Sequence, residues 1–218
     1  MADNKDDRII VNAEVDMCPC GSGKRIVDCC ISERKRTTPK PPPTGHSHPK
    51  CYARELGDCS SKISKEHFVS RAVTRLIETP EGKMTLSGPK WLPQGEERRI
   101  SIGSLGASIL CRRHNEALNG LDDVAQKFFE YLMPESSVSD AFLMINGGEL
   151  ERWMLKVLCG FLASGMSIHS SDSWRPPLAW LRILFDIDNI PNGSGMYVLR
   201  GKDITDLSLK FRVAFGIG

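Results

Sequence analysis

Apolar side chains recur at helical spacing in two stretches of this chain and alternate weakly in several shorter ones. Leu118, Leu121, Val124, Ala125, Phe128 and Phe129 make one stripe and predict a helix over 115–132. Leu150, Trp153, Met154, Val157, Leu158, Phe161 and Leu162 make a second, strongly apolar helix that Gly165 ends. Residues 178–185 predict a shorter helix, as do residues 71–78. The stretches 62–69, 100–110, 196–200 and 207–215 read as strands. Residues 79–99, rich in Gly, Pro and charge, read as an inserted loop. The mixture predicts an α+β fold.

The first fifty residues follow neither pattern. Residues 17–30 read MCPCGSGKRIVDCC, too short and too turn-rich for a hydrophobic core. The stretch 31–50 is basic and Pro-rich, with Pro41, Pro42 and Pro43 in succession, so it predicts an extended, semi-rigid linker. The chain therefore divides into an arm (1–16), a cysteine-rich turn (17–31), a linker (32–50), a central unit (51–135) and a C-terminal helix-plus-strand region (136–218). No internal repeat is present.

Composition sharpens this picture at one point. The 218 residues contain eight cysteines against five histidines, a ratio that asks for disulfides or for metal. Asp3, Asp6 and Asp7 stand where a secretory signal needs basic and then apolar residues. The most apolar stretch, 153–166, is broken by Lys156 and falls short of the ~20 residues that span a bilayer. A soluble, cytoplasmic protein with no membrane partner is expected, and in that compartment thiols stay reduced and metal is favoured. The net charge of +2 conceals a basic segment of +7 over residues 21–75, between acidic ends of −3 over 1–20 and −3 over 121–218. Positive charge beside metal-ligand spacings points to a nucleic-acid partner.

Cys18, Cys20, Cys29 and Cys30 can together surround one tetrahedral Zn²⁺, whose binding would supply the folding energy that so short a segment lacks. Gly21-Ser22-Gly23-Lys24 lacks the full spacing of a phosphate loop. The run CPCGSGKRIVDCC closely resembles the SEC-C motif, the zinc-binding tail of the SecA translocase, and the resemblance implies an adaptor role with a protein partner.

Of the remaining cysteines, Cys111 with His114, and Cys51 with Cys59, have the makings of a second, closed zinc site, while Cys159 on the apolar helix is expected to be a small buried hydrophobe. Between the halves of that site lies Ser64-Lys65-Glu66-His67-Phe68-Val69-Ser70. A carboxylate next to a histidine, followed later by Cys-x-x-His-Asn, resembles the HNH or ββα-metal endonuclease pattern over about residues 51–130. The resemblance implies a small zinc-bound ββα-metal core with His67 as general base. It also implies a catalytic Mg²⁺ or Mn²⁺ held by Glu66 and Asn115, and a structural knuckle containing Cys111 and His114. Gly106 stands where the family's middle Asn falls, and Glu66 where Asp is usual. A base titrating near pH 7 and a divalent cation suit phosphodiester cleavage. Lys62, Lys65, Arg71, Arg75, Arg112 and Arg113 are placed to contact backbone phosphates.

The expected function is therefore metal-dependent endonucleolytic cleavage of DNA, with RNA left open. A role in bacterial restriction or anti-phage defence is what the resemblance implies. The rival is a non-catalytic zinc adaptor that binds protein or nucleic acid through both knuckles. The helix from Gly148 onward, with Trp153 and Phe161, offers a face for a homodimer. Asp122 and Asp123 are expected to face solvent, as are His46, His48 and His169.

Overall fold

β1 (Ile63–His67) and β4 (Gly106–Cys111) pair antiparallel, and α2 (Arg112–Leu132) begins at the residue after β4 ends. The result, in the computed structural model, is a strand–strand–helix unit. The structure describes residues 16–17, 23–26, 37–76, 78–87, 92–132, 145–166 and 174–191. Cys18, Cys20, Cys29, Cys30, His169 and the strands expected at 196–200 and 207–215 lie outside the described residues.

The β1–β4 register shifts once. Ser64 faces Leu110 but Glu66 faces Ala107, so Ser108 and Ile109 together oppose Lys65. Such a bulge bends the strand and frees a backbone group. Here the Ile109 carbonyl accepts from the backbone N–H of Tyr52 at 2.8 Å, which fastens the loop before β1 to β4.

Between the two strands lie α1 (Arg71–Arg75), capped by the Ser70 hydroxyl, and a second antiparallel pair, β2 (Lys83–Ser87) with β3 (Glu97–Ser101). The loop expected at 79–99 is thus largely a hairpin. Its apolar residues are few, but Met84, Leu86 and Ile100 share one face and pack on Phe68 and Leu105. Alternation that sparse is diluted by the surrounding charge, and the sequence pattern misses it. The strand expected at 100–110 is broken by one tight turn at Ile102–Ser104.

α3 (Gly147–Ala163) and α4 (Leu178–Leu184) join α2 in a single core. Leu118, Leu121 and Ala125 of α2 meet Leu150, Trp153 and Val157 of α3 and Leu181 and Leu184 of α4. The Asn146 side chain accepts from the Glu149 N–H at the start of α3, and Gly165, at φ +72°, turns the chain at its end. Arg152 of α3 is buried, with its guanidinium 2.8 Å from Asp186 and donating to the Ile183 carbonyl, and so ties α3 to the end of α4. The residues expected as a dimer face are turned inward. Trp153 meets Phe129 with ring centroids 5.5 Å apart, and Phe161 meets Phe68 at 4.7 Å. Among the described residues no helix is long and apolar enough to cross a membrane.

Residues 37–50 of the Pro-rich stretch form no helix or strand, and they lie against the domain. Thr37 donates to the Leu184 carbonyl at 2.8 Å and Thr38 to that of Phe185 at 3.2 Å. Arg113 donates to the carbonyls of Lys40 and, at 2.9 Å, Pro42. Extended proline-rich backbone leaves its carbonyls unpaired within the segment, so they serve as ready acceptors.

Gly160 sets how closely α3 approaches β1. A Cβ there would lie 2.0 Å from Phe68 Cβ and 2.8 Å from its Cγ. Gly160→Ala is therefore expected to destabilise the fold by about 1–3 kcal/mol through overpacking, read as a lower midpoint in urea. An unchanged or higher midpoint would show that the helix and strand can move apart freely.

Candidate metal centre

Four side chains from three places in the chain converge beside β4. Cys51 and Cys59 come from the loop before β1, Cys111 ends β4, and His114 lies in the first turn of α2. The loop between Cys51 and Cys59 is longer than an ordinary knuckle. A single turn at Arg54–Leu56 takes up the extra residues, and Gly57 and Asp58, both at positive φ (68° and 71°), bring the chain back. Cys51 and Cys59 donate their backbone N–H groups to the carbonyls of His48 and His46, so the docked Pro-rich stretch helps shape the loop.

All four ligand atoms lie within 4.8 Å of one another. The Sγ atoms of Cys51, Cys59 and Cys111 are 3.6, 3.7 and 3.2 Å from His114 Nδ1. A tetrahedral zinc with ordinary bond lengths would separate sulfur and nitrogen ligands by about 3.6 Å. All four residues are buried, and among the described residues every cysteine is an unpaired thiol, so the cluster is a group that could hold a metal ion. The donor set and the spacing fit Zn²⁺, and Nδ1 is the imidazole atom offered to it.

The surroundings favour thiolate at Cys111. Cys111 Sγ accepts the Ser60 N–H at 3.4 Å, and Cys51 Sγ accepts the Cys111 N–H at 3.3 Å. The Cys111 thiol is held far below its usual range, first by its hydrogen bond with Cys51 and then by His114 and the backbone N–H groups. Cys51 is correspondingly pushed up by sharing that bond and by burial, and burial pushes Cys59 up as well. Three sulfurs this close cannot all ionise without a cation among them. Phe185, fully buried after α4, sets its ring edge-on to His114 with centroids 4.9 Å apart. The C-terminal region thus closes the metal site. Cys159 is buried in the core, and burial raises its thiol pKa, as expected of a hydrophobe.

The second group of candidates lies along β1 and α2. His67 ends β1 opposite Gly106 and is half-buried. Its pKa is lowered, first by burial and then by Lys65, Arg71 and Lys156. A Cβ at Gly106 would lie 2.7 Å from Lys65 Cε, 3.1 Å from the Glu66 carbonyl and 3.2 Å from His67 Cδ2. The space a side chain at position 106 would need is therefore taken by Lys65, His67 and the Glu66 backbone. Asn115, one residue past the cluster imidazole, donates from Nδ2 to Ser64 Oγ at 3.0 Å and so ties α2 to β1.

Glu66 is almost wholly buried and faces α3, where its Oε1 lies 3.1 Å from Lys156 Nζ. The same ammonium donates to both oxygens of Asp122, at 2.7 and 2.8 Å, and the Trp153 indole donates to Asp122 at 3.1 Å. A divalent ion at Glu66 would have to compete with Lys156. Asp122, expected in solvent, is held inside by these two groups, whereas Asp123 is exposed. Burial alone would lower the Lys156 pKa, but Glu66 and Asp122 outweigh it and raise it; burial raises that of Glu66 against the pull of Lys156. The signal for Lys156 was that it is the one charge in the apolar run 153–166.

The basic residues separate by partner. Lys62, Arg71 and Arg75 are exposed, and Arg112 is exposed while paired with Glu116 at 2.7 Å. Lys65 donates to the Gly103 carbonyl at 2.7 Å. Arg113 is occupied with Asp58 at 3.1 Å and with the Pro-rich carbonyls, a structural tether in place of the expected phosphate contact. His46 is exposed and His48 half-buried, its Nδ1 accepting the Lys50 N–H.

No family model, no curated protein and no solved structure matches this chain.

Cys111→Ser removes a ligand shared by β4 and the start of α2. The variant is expected to carry one zinc fewer per chain than the wild type and to unfold in conditions where the wild type is folded, because metal-binding energy at such a site is folding energy. Metal analysis and circular dichroism on the same samples check this. Equal zinc in both proteins would show that the cluster is not a metal site.

Proposed function

We propose that this chain is an HNH-like endonuclease that hydrolyses phosphodiester bonds in DNA, with His67 as its general base. The observation that carries the reading is the strand–strand–helix order. His67 ends the first strand, a Cys₃His cluster clamps the second strand to the helix, and Asn115 follows the cluster imidazole in the first helical turn. What supports the reading is the order of these residues along the chain between residue 51 and the end of α2.

The chemistry follows from the environment of His67. Burial and the neighbouring cations keep its imidazole neutral at physiological pH, so a ring nitrogen can take the proton of a water molecule. The water oxygen then bonds to phosphorus as the bond to the departing sugar oxygen breaks. Exposed Lys62, Arg71, Arg75 and Arg112 provide positive charge for the flanking phosphates. A Mg²⁺ or Mn²⁺ ion, when bound, neutralises charge developing on the phosphoryl oxygens. Asn115 would hold it through Oδ1, since Nδ2 is given to Ser64. In this reading Cys18, Cys20, Cys29 and Cys30 form a second zinc knuckle that docks a protein partner. A place in restriction or anti-phage defence rests on the HNH resemblance alone.

One observation favours a second reading, a zinc-held adaptor without catalysis. Gly106 leaves no side chain opposite His67 to orient the imidazole. Plasmid nicking separates the two. The wild type is expected to cleave supercoiled DNA with Mg²⁺, Mn²⁺ or Ni²⁺. His67→Ala should lose about 100-fold or more in rate while its zinc content stays that of the wild type. A zinc-loaded wild type inert on DNA with all three ions would support the adaptor, and cleavage of RNA alone would change the substrate.

A further inference from the structure

The residue most at odds with its surroundings is Lys156. It lies in the middle of the most apolar helix, its side chain is 1% exposed, and its ammonium has three carboxylate oxygens within 3.1 Å. Two of the contacts are hydrogen bonds to Asp122; the third is an ion pair with Glu66 Oε1, a buried oxygen that has no hydrogen-bond partner. The oxygens come from β1 and α2, so one α3 side chain joins the strand that bears His67 to the helix that bears Asn115.

One turn further along, α3 grips the other side of His67. Gly160 lies against Phe68, and the Phe161 ring packs on that of Phe68 at 4.7 Å. Glu66 and Phe68 flank His67 in sequence, and both are held by the same helix. The backbone carrying the imidazole is thus fixed from each side. The grip on Glu66 is electrostatic and the grip on Phe68 is steric.

A carboxylate can serve a hard divalent cation only if it is reachable and not already neutralised. Glu66 fails on both counts, because its side chain is 2% exposed and Lys156 sits against it. Asp122 accepts two hydrogen bonds from the same ammonium and one from Trp153, so Lys156 also holds the second carboxylate nearest Glu66. We infer that Lys156 is the resident cation of this site, a positioning residue that holds Glu66 away from any divalent ion and fixes the strand on which His67 stands. The activity consequences rest on the hydrolase reading, but the structural ones do not.

Three variants of the full chain test this: Glu66→Gln, Lys156→Met and the double variant, in which both charges are removed at similar volume. Mn²⁺ alone is the probe, titrated by the electron paramagnetic resonance of the free ion. Plasmid cleavage is measured alongside, as are the imidazole resonances of His67. Glu66→Gln is expected to bind Mn²⁺ with the affinity of the wild type. Both single variants should lose about 100-fold in kcat, the scale of a misplaced reacting group, with KM unchanged. The double variant should be no slower than the worse single one. In all three the His67 resonances should move while zinc content stays that of the wild type.

A tenfold loss of Mn²⁺ affinity in Glu66→Gln would make Glu66 an ion ligand and overturn the inference. So would wild-type cleavage, or unmoved His67 resonances, in Lys156→Met. Should that variant lose its zinc and unfold, the double variant, which leaves no carboxylate at position 66 to be buried without its cation, decides by the same readings. A wild type inert on nucleic acid with every ion would refute the hydrolase reading alone. The Mn²⁺ and resonance measurements would then still decide the role of Lys156.

Discussion

Four ligand atoms within 4.8 Å of one another organise this protein. Three buried thiols cannot be left together as thiolates without a cation, and three neutral thiols offer little to hold a loop, a strand end and a helix start in one place. A zinc ion would resolve both problems at once, since it needs deprotonated sulfur and would bond all three segments. Everything else of interest is placed relative to that point. The strand that leads to His67 starts four residues after Cys59, and Asn115 follows His114 directly. The cluster is therefore a jig. It fixes where the first strand begins and where the helix begins, and the candidate chemistry lies at the far end of one and the near end of the other.

A jig that holds one end leaves the other to be held by something else. Here α3 does this with two different interactions one helical turn apart: the buried ammonium of Lys156 on Glu66, and the bare backbone of Gly160 on Phe68. The ion pair is specific and unforgiving on one side, because removing Lys156 leaves Glu66 as an uncompensated buried charge at a cost of roughly 3–5 kcal/mol. The glycine contact is permissive only for glycine. With Phe185 placed edge-on to the cluster imidazole, the end of α4 is an integral part of the site.

The elements visible in the sequence were those with strong periodicity. The stripes at Leu118 to Phe129 and at Leu150 to Leu162 predict their helices because many apolar residues repeat one spacing. Cys51, Cys59, Cys111 and His114 were legible because thiols and imidazoles are rare and their chemistry is narrow. The β2–β3 hairpin was not, because Met84, Leu86 and Ile100 are too few to stand out among Gly, Pro and charge. Arg113 looked like a phosphate contact because nothing in sequence says that Asp58 and the carbonyls of Lys40 and Pro42 will meet it. Lys156 announced itself only as an interruption in an apolar run. Its partners, 90 and 34 residues away, emerge only from the packing of three elements.

If the cluster organises the fold, withdrawing its metal must loosen every segment it joins together. Hydrogen exchange of the full chain, followed peptide by peptide with and without a strong zinc chelator, tests this most directly. The account predicts that protection falls together in β1, β4, the first turn of α2 and α4. Loss confined to the loop from Cys51 to Cys59, with the strands and α4 still protected, would contradict it.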